Sequence, residues 1–123
     1  MAPMTRRILL AAFASAIWVS GPAPAQEQAP NRREFTIIAR DHRFAPDRIE
    51  VSQNDLVRIT LRSEDRPYSF VVDAYRIVKR ASGGQTLSFE FRADQAGTFE
   101  YYCNLTSDPG CRDMKGTLVV KGR

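Results

Sequence analysis

Val57, Ile59 and Leu61 alternate with Arg58, Thr60 and Arg62, which sets aliphatic side chains on one face and polar ones on the other. A period of two is the mark of a half-buried β-strand and cannot be wrapped onto a helix face. The alternation returns in Phe35, Ile37 and Ala39, in Leu87, Phe89 and Phe91, in Phe99, Tyr101 and Cys103, and in Leu118 with Val120. Shorter stretches at Arg48 to Val51 and Tyr68 to Val72 also read as extended. Turn residues separate these runs: Phe44-Ala45-Pro46-Asp47, Gln53-Asn54-Asp55, Ser63 to Pro67, and Ala93 to Gly97. Asp73 to Gly84 shows no clear period, with Tyr75 and Ile77 expected to turn inward and Gly83-Gly84 to form a loop. No amphipathic helix and no internal repeat is present. About seven short strands in 123 residues predict an all-β fold, an antiparallel Greek-key β-sandwich around one core.

The first 25 residues stand apart from this pattern. Arg6 and Arg7 precede an apolar run, Ile8 to Val19, broken only by Ser15, and Ala23-Pro24-Ala25 supplies the small residues of a cleavage site. This is the layout of a secretory signal peptide over residues 1–25, and the apolar run is shorter than the ~20 residues that span a bilayer. Thr5 to Leu10 also resembles the opening of a twin-arginine export signal, so the route is open between the general and the twin-arginine systems. Gln26 to Glu34 reads as a flexible lead-in, and residues 35–123 as the folded domain. The predicted location is periplasmic or secreted, with no stable membrane span once the leader is removed. Cleavage lowers the net charge from +4 to +2, with basic and acidic residues interspersed, and nothing points to nucleic acid. An immunoglobulin arrangement fits poorly. Cys103 and Cys111 lie eight positions apart instead of on strands distant in sequence, and Trp18, the sole tryptophan, falls in the leader.

His42 is the only histidine, which excludes any site that needs two imidazoles from one chain. The sequence carries no Ser-His-Asp pattern, no phosphate-cradling glycine loop and no histidine pair of a metallohydrolase, so no enzyme activity is expected. The paired acids Glu64-Asp65 read as a solvated turn, His42 as a solvated turn residue, and Asn104-Leu105-Thr106 as a chance match to the glycosylation pattern.

Gly97-Thr98-Phe99-Glu100-Tyr101-Tyr102-Cys103, followed by a loop and Met114-Lys115-Gly116-Thr117-Leu118-Val119-Val120, resembles the copper-site end of cupredoxins. These are the small blue-copper electron carriers and their relatives in oxidase subunits. Phe44 to Val51 with Asp55 to Ile59 resembles the opening strands of that family, and Pro67-Tyr68-Ser69-Phe70 stands where a Pro-His-Ser-Phe-like segment is usual. The resemblance extends over most of residues 35–121. It implies a cupredoxin-like sandwich, copper as cofactor, and a periplasmic redox or copper-handling protein as partner. The family holds its metal with one mid-chain His and with Cys, His and often Met from the C-terminal loop. Carried over, Tyr68 stands at the first His, Cys103 at the Cys and Met114 at the Met, while Cys111 is the nearest substitute for the missing loop His. The two-histidine blue-copper site and the binuclear oxidase centre, which needs paired Cys and paired His, are both excluded.

Two readings of the same sulfurs follow. In one, Cys103, Cys111 and Met114, with Tyr68 nearby, form a sulfur-rich site for Cu(I), because soft thiolate and thioether ligands select that ion. A Cu(I) carrier would suit this set better than fast electron transfer. In the other, Cys103 and Cys111 form a disulfide, the ordinary state of paired cysteines outside the cytoplasm, worth roughly 2.5 kcal/mol for so short a loop. The domain is then a metal-free binding or structural module. Tyr68 fills the space of an imidazole and seeks a partner for its hydroxyl, and Tyr101, two residues before Cys103, ties a loop to its strand.

Overall fold

The computed structural model describes residues 31–123; the leader expected at 1–25 and residues 26–30 of the lead-in lie outside them. Nine strands follow in order: β1 (Arg32–Arg40), β2 (Arg43–Ala45), β3 (Arg48–Ser52), β4 (Leu56–Ser63), β5 (Tyr68–Val72), β6 (Ile77–Ala81), β7 (Thr86–Arg92), β8 (Gly97–Tyr102) and β9 (Lys115–Lys121). Two short 3-10 turns interrupt them, Asp73–Tyr75 and Pro109–Asp113. The strands form a four-stranded sheet, β2-β1-β4-β7, and a five-stranded sheet, β3-β9-β8-β5-β6. Their inner faces close over one core, and the expected sandwich is present.

Strand β4 shows why the fold was readable. Val57, Ile59, Leu61 and Ser63 are buried while Leu56, Arg58, Thr60 and Arg62 face outward, as a strand covered on one side requires. Three expectations are corrected. The sheets are mixed, not wholly antiparallel: β1 runs parallel to β4 from Arg32–Leu56 to Ala39–Ser63, and β3 runs parallel to β9. The first strand starts at Arg32 instead of Phe35, because Arg32, Arg33 and Glu34 extend the ladder against Leu56, Val57 and Arg58. Among the described residues there are nine strands and not about seven. Strand β2 falls within a segment that reads as a turn, and β6 shows no alternation because Val78, Lys79 and Arg80 are all exposed, Lys79 with its ammonium 5.5 Å over the Phe89 ring.

The registers fix which residues meet at each end. Strands β1, β4 and β8 finish at one end, where β3, β7 and β9 begin. Beneath that end Phe44, Phe70 and Tyr101 form an aromatic cluster with ring centres 4.9 to 5.8 Å apart. On it sits the loop from Asn104 to Met114.

Candidate functional site

Strand β8 delivers Cys103 and β9 is preceded by Met114, so the two ends of the loop are neighbours across one antiparallel pair. The loop turns back through Asp108, whose carboxylate accepts the Gly110 amide at 3.1 Å, with Pro109 next in the chain fitting the first helical position. That turn carries Cys111 inward to a disulfide with Cys103, Cα to Cα 5.1 Å. Backbone bonds lock the three sulfur-bearing residues together: the Met114 amide donates to the Cys111 carbonyl at 3.1 Å and the Cys103 amide to the Met114 carbonyl at 3.3 Å. Each sulfur of the disulfide also faces an amide. Ser69 N lies 3.4 Å from Cys103 Sγ and Leu105 N 3.1 Å from Cys111 Sγ. The Ser69 hydroxyl donates to Asn104 Oδ1 at 2.7 Å and accepts the Asn104 amide at 2.8 Å, pinning the start of the loop to β5.

Tyr68 opens β5 and is fully buried. Its hydroxyl donates to Asp65 Oδ1 at 2.7 Å and accepts the His42 amide at 3.0 Å, which supplies the partners a buried phenol needs. Burial, above all, pushes the Tyr68 hydroxyl above its ordinary pKa. Burial also works to raise Asp65, yet the hydrogen bonds from Tyr68 and the Asp41 amide outweigh it and hold that carboxyl below its usual value. Tyr101 plays its expected tying role: its hydroxyl donates to the Pro46 carbonyl at 2.8 Å, and burial drives its pKa far upward. Its ring lies over Gly116 on β9 so closely that a Cβ there would overlap it.

His42 departs from the solvated role read from the sequence. It sits with Asp41 in the two-residue turn between β1 and β2, both at positive φ (57° and 52°). Its ring meets Tyr68 edge-on at 6.0 Å, and its Nε2 lies 2.9 Å from both carboxylate oxygens of Asp108. These two contacts assign the ring proton to Nε2, which donates to the carboxylate. Arg66 Nη1, 3.2 Å from the same nitrogen, is then a neighbouring cation and not a donor to it. The His42 bond is the main cause that holds Asp108 below the ordinary carboxylate value. Gly110 packs against the same ring, where a Cβ would come within 2.6 Å of it. No sequence signal links His42 to Asp108, because the contact spans 66 residues.

Residues 9–120 match the family model of the cupredoxin-like domain. The chain belongs to that family. It is 24% identical over 104 residues to cytochrome c oxidase subunit 2 of Thermus thermophilus, an alignment covering 85% of this chain and 77% of the relative. A second subunit 2 from the same species matches at the same identity, and there the chain spans 62% of the relative's length. Among solved structures, auracyanin A, a "blue" copper protein from the green thermophilic photosynthetic bacterium Chloroflexus aurantiacus, superposes with a TM-score of 0.63 at 18% identity, over 74% of this chain and all of that one. The metal-binding domain, with Cu(I), of the Cu(I)-exporting P-type ATPase of Streptococcus pneumoniae D39 gives a TM-score of 0.63 at 15% identity, over 76% and 90% of the two chains. At these identities the superpositions establish the fold.

As a cupredoxin-like domain the chain is expected to hold copper, and the donor set decides whether it fits. Cys103, Cys111 and Met114 are brought together, whereas Tyr68 stands one residue beyond Ser69 with its hydroxyl already spent on Asp65 and His42. Both cysteines are oxidised, so no thiolate is left to bind. Among the described residues, no group of three or more His, Cys, Asp or Glu side chains is disposed around a metal position. In this disulfide state the residues do not fit copper. Breaking the bond would leave two thiolates on residues whose backbones are bonded to that of Met114, and thiolates with a thioether are a set suited to Cu(I). A cleft of about 280 Å³ opens at Met114, lined also by His42, Asp47 and Asp113 and by neither cysteine. Among the described residues, no helix is long and apolar enough to cross a membrane.

Proposed function

We propose that the chain is an exported cupredoxin-like binding module of copper or redox machinery, working with its metal-site end closed by a disulfide and not as a blue-copper centre. The observation that carries this reading is the Cys103–Cys111 bond, formed by the residues that the family resemblance assigns to the metal. Tyr68, fully hydrogen-bonded where an imidazole would stand, supports it. The relatives, an oxidase subunit and a Cu(I) exporter's domain among them, favour a partner that handles copper or electrons. The role is recognition and not catalysis, and the leader over residues 1–25 supports export. Thiol titration of the purified protein, with and without reductant, together with copper analysis, tests the reading. No free thiols and no copper are expected before reduction, and two thiols after it; two free thiols with bound copper in the protein as isolated would overturn it.

The convergence of Cys103, Cys111 and Met114 favours a second reading, a Cu(I) carrier that loads after reduction. Two electrons and two protons from a partner dithiol would convert the disulfide to the binding form. Stoichiometric Cu(I) uptake by the reduced protein, lost in Cys111→Ser and weakened in Met114→Leu, is its signature. Intense blue colour with Cu(II) would contradict both readings.

A further inference from the structure

We infer that His42 is a positioning residue that latches the loop over the Cys103–Cys111 disulfide and so sets how fast a dithiol can reduce it. This rests on the disulfide reading above and adds a control element to it. Both sulfurs are shut from solvent, with Cys103 2% and Cys111 0% exposed. Thiol–disulfide exchange requires a thiolate to reach one sulfur in line with the S–S bond, so the covering loop must open first. Asp108, near the middle of that loop, is gripped from outside it by His42 Nε2 at 2.9 Å to both oxygens. The grip passes directly to the disulfide, because the Asp108 carbonyl accepts the Cys111 amide at 3.0 Å and its carboxylate accepts the Gly110 amide. Gly110 resting on the imidazole completes the closure, and any larger residue would force the ring or the turn to shift. His42 is itself held: its main-chain amide is fixed by Tyr68, and the tight turn between β1 and β2 leaves it little freedom.

The gated reaction balances as ordinary exchange. A thiolate of the reductant attacks one sulfur, the S–S bond breaks, and the other cysteine leaves as a thiolate. The reductant's second thiolate then closes its own disulfide and releases the first cysteine. Two electrons enter the protein, and protons from solvent complete two thiols.

The test is the rate of reduction of the full chain by excess dithiothreitol, quenched with iodoacetamide and read by mass. His42→Ala is expected to raise the rate about tenfold, the usual scale for losing one such bond. His42→Gln, whose amide N–H can still reach Asp108, should restore most of the slow rate. The denaturant midpoint of each oxidised variant is measured alongside. Equal rates in wild type and His42→Ala would overturn the latch, as would acceleration that merely tracks the loss of global stability. The mass before reduction reports separately whether the disulfide exists, so failure of the function proposal is distinguishable from failure of the latch.

Discussion

The two ends of the sandwich are closed by different means. At the end away from the disulfide, the turn between β3 and β4 is stitched by main-chain bonds to its neighbours: Gln53 N to Lys121 O at 2.8 Å, Asn54 N to Ala93 O, and Ala93 N to Asp55 O at 2.9 Å. One buried carboxylate, Asp55, takes the Ser52 amide at 2.8 Å and Arg123 Nη2 at 2.6 Å. At the other end the closure is made mostly by side chains from separate parts of the chain: Cys103 with Cys111, His42 with Asp108, and Tyr68 with Asp65. Main-chain stitching holds an end through bonds that no reductant can cut. Side-chain ties are each open to a different agent, the disulfide to a reductant and the carboxylates to a proton. Responsiveness therefore belongs to the disulfide end.

The largest effect that separates the ends should come from the disulfide. The double variant Cys103→Ala, Cys111→Ala is expected to lose about 2.5 kcal/mol in urea unfolding, and reductant should lower the wild type toward the same midpoint. A reductant-insensitive midpoint would remove the contrast. Next, Asp55→Ala strands the Ser52 amide at a buried site and should cost about 2 kcal/mol, equally with and without reductant. If its cost changed on reduction, the ends would be coupled.

Acid gives the smallest effect. Asp65 and Asp108 are held below the ordinary value of 3.8, so they stabilise the folded state above that value, and the contribution is lost as pH falls through their depressed values. Both carboxylates keep partial access to solvent, which screens the charge and keeps the change small. Denaturant midpoints should decline as pH drops below 3.8, and the decline should flatten in the Asp65→Asn, Asp108→Asn double variant.

What the sequence made legible follows the same division. The alternation of Val57, Ile59 and Leu61 predicted both the strand and its buried face, since that face is set by neighbouring residues alone. Gln53-Asn54-Asp55 marked its turn because Asn54 adopts a positive φ of 72°, which asparagine tolerates. Tyr101 was read as a tie because the spacing to Cys103 is local. The pairing of Cys103 with Cys111 is balanced in the sequence against a metal site, for both use the same atoms and only the folded loop brings the two sulfurs into one bond. His42 was illegible: a turn histidine gives no sign that Asp108, far along the chain, will meet its ring. The parallel neighbours of β1 and β3 were missed for the same reason, since strand direction is decided by crossovers between sheets and not by periodicity.

Strand β9 lies between β3 and β8, pairing Arg48 with Thr117 on one side and Thr98 with Val119 on the other. During synthesis, then, the larger sheet has a gap at its second position until β9 has left the ribosome. Pairings of such long sequence separation form slowly, so the larger sheet is the part of the fold that closes last.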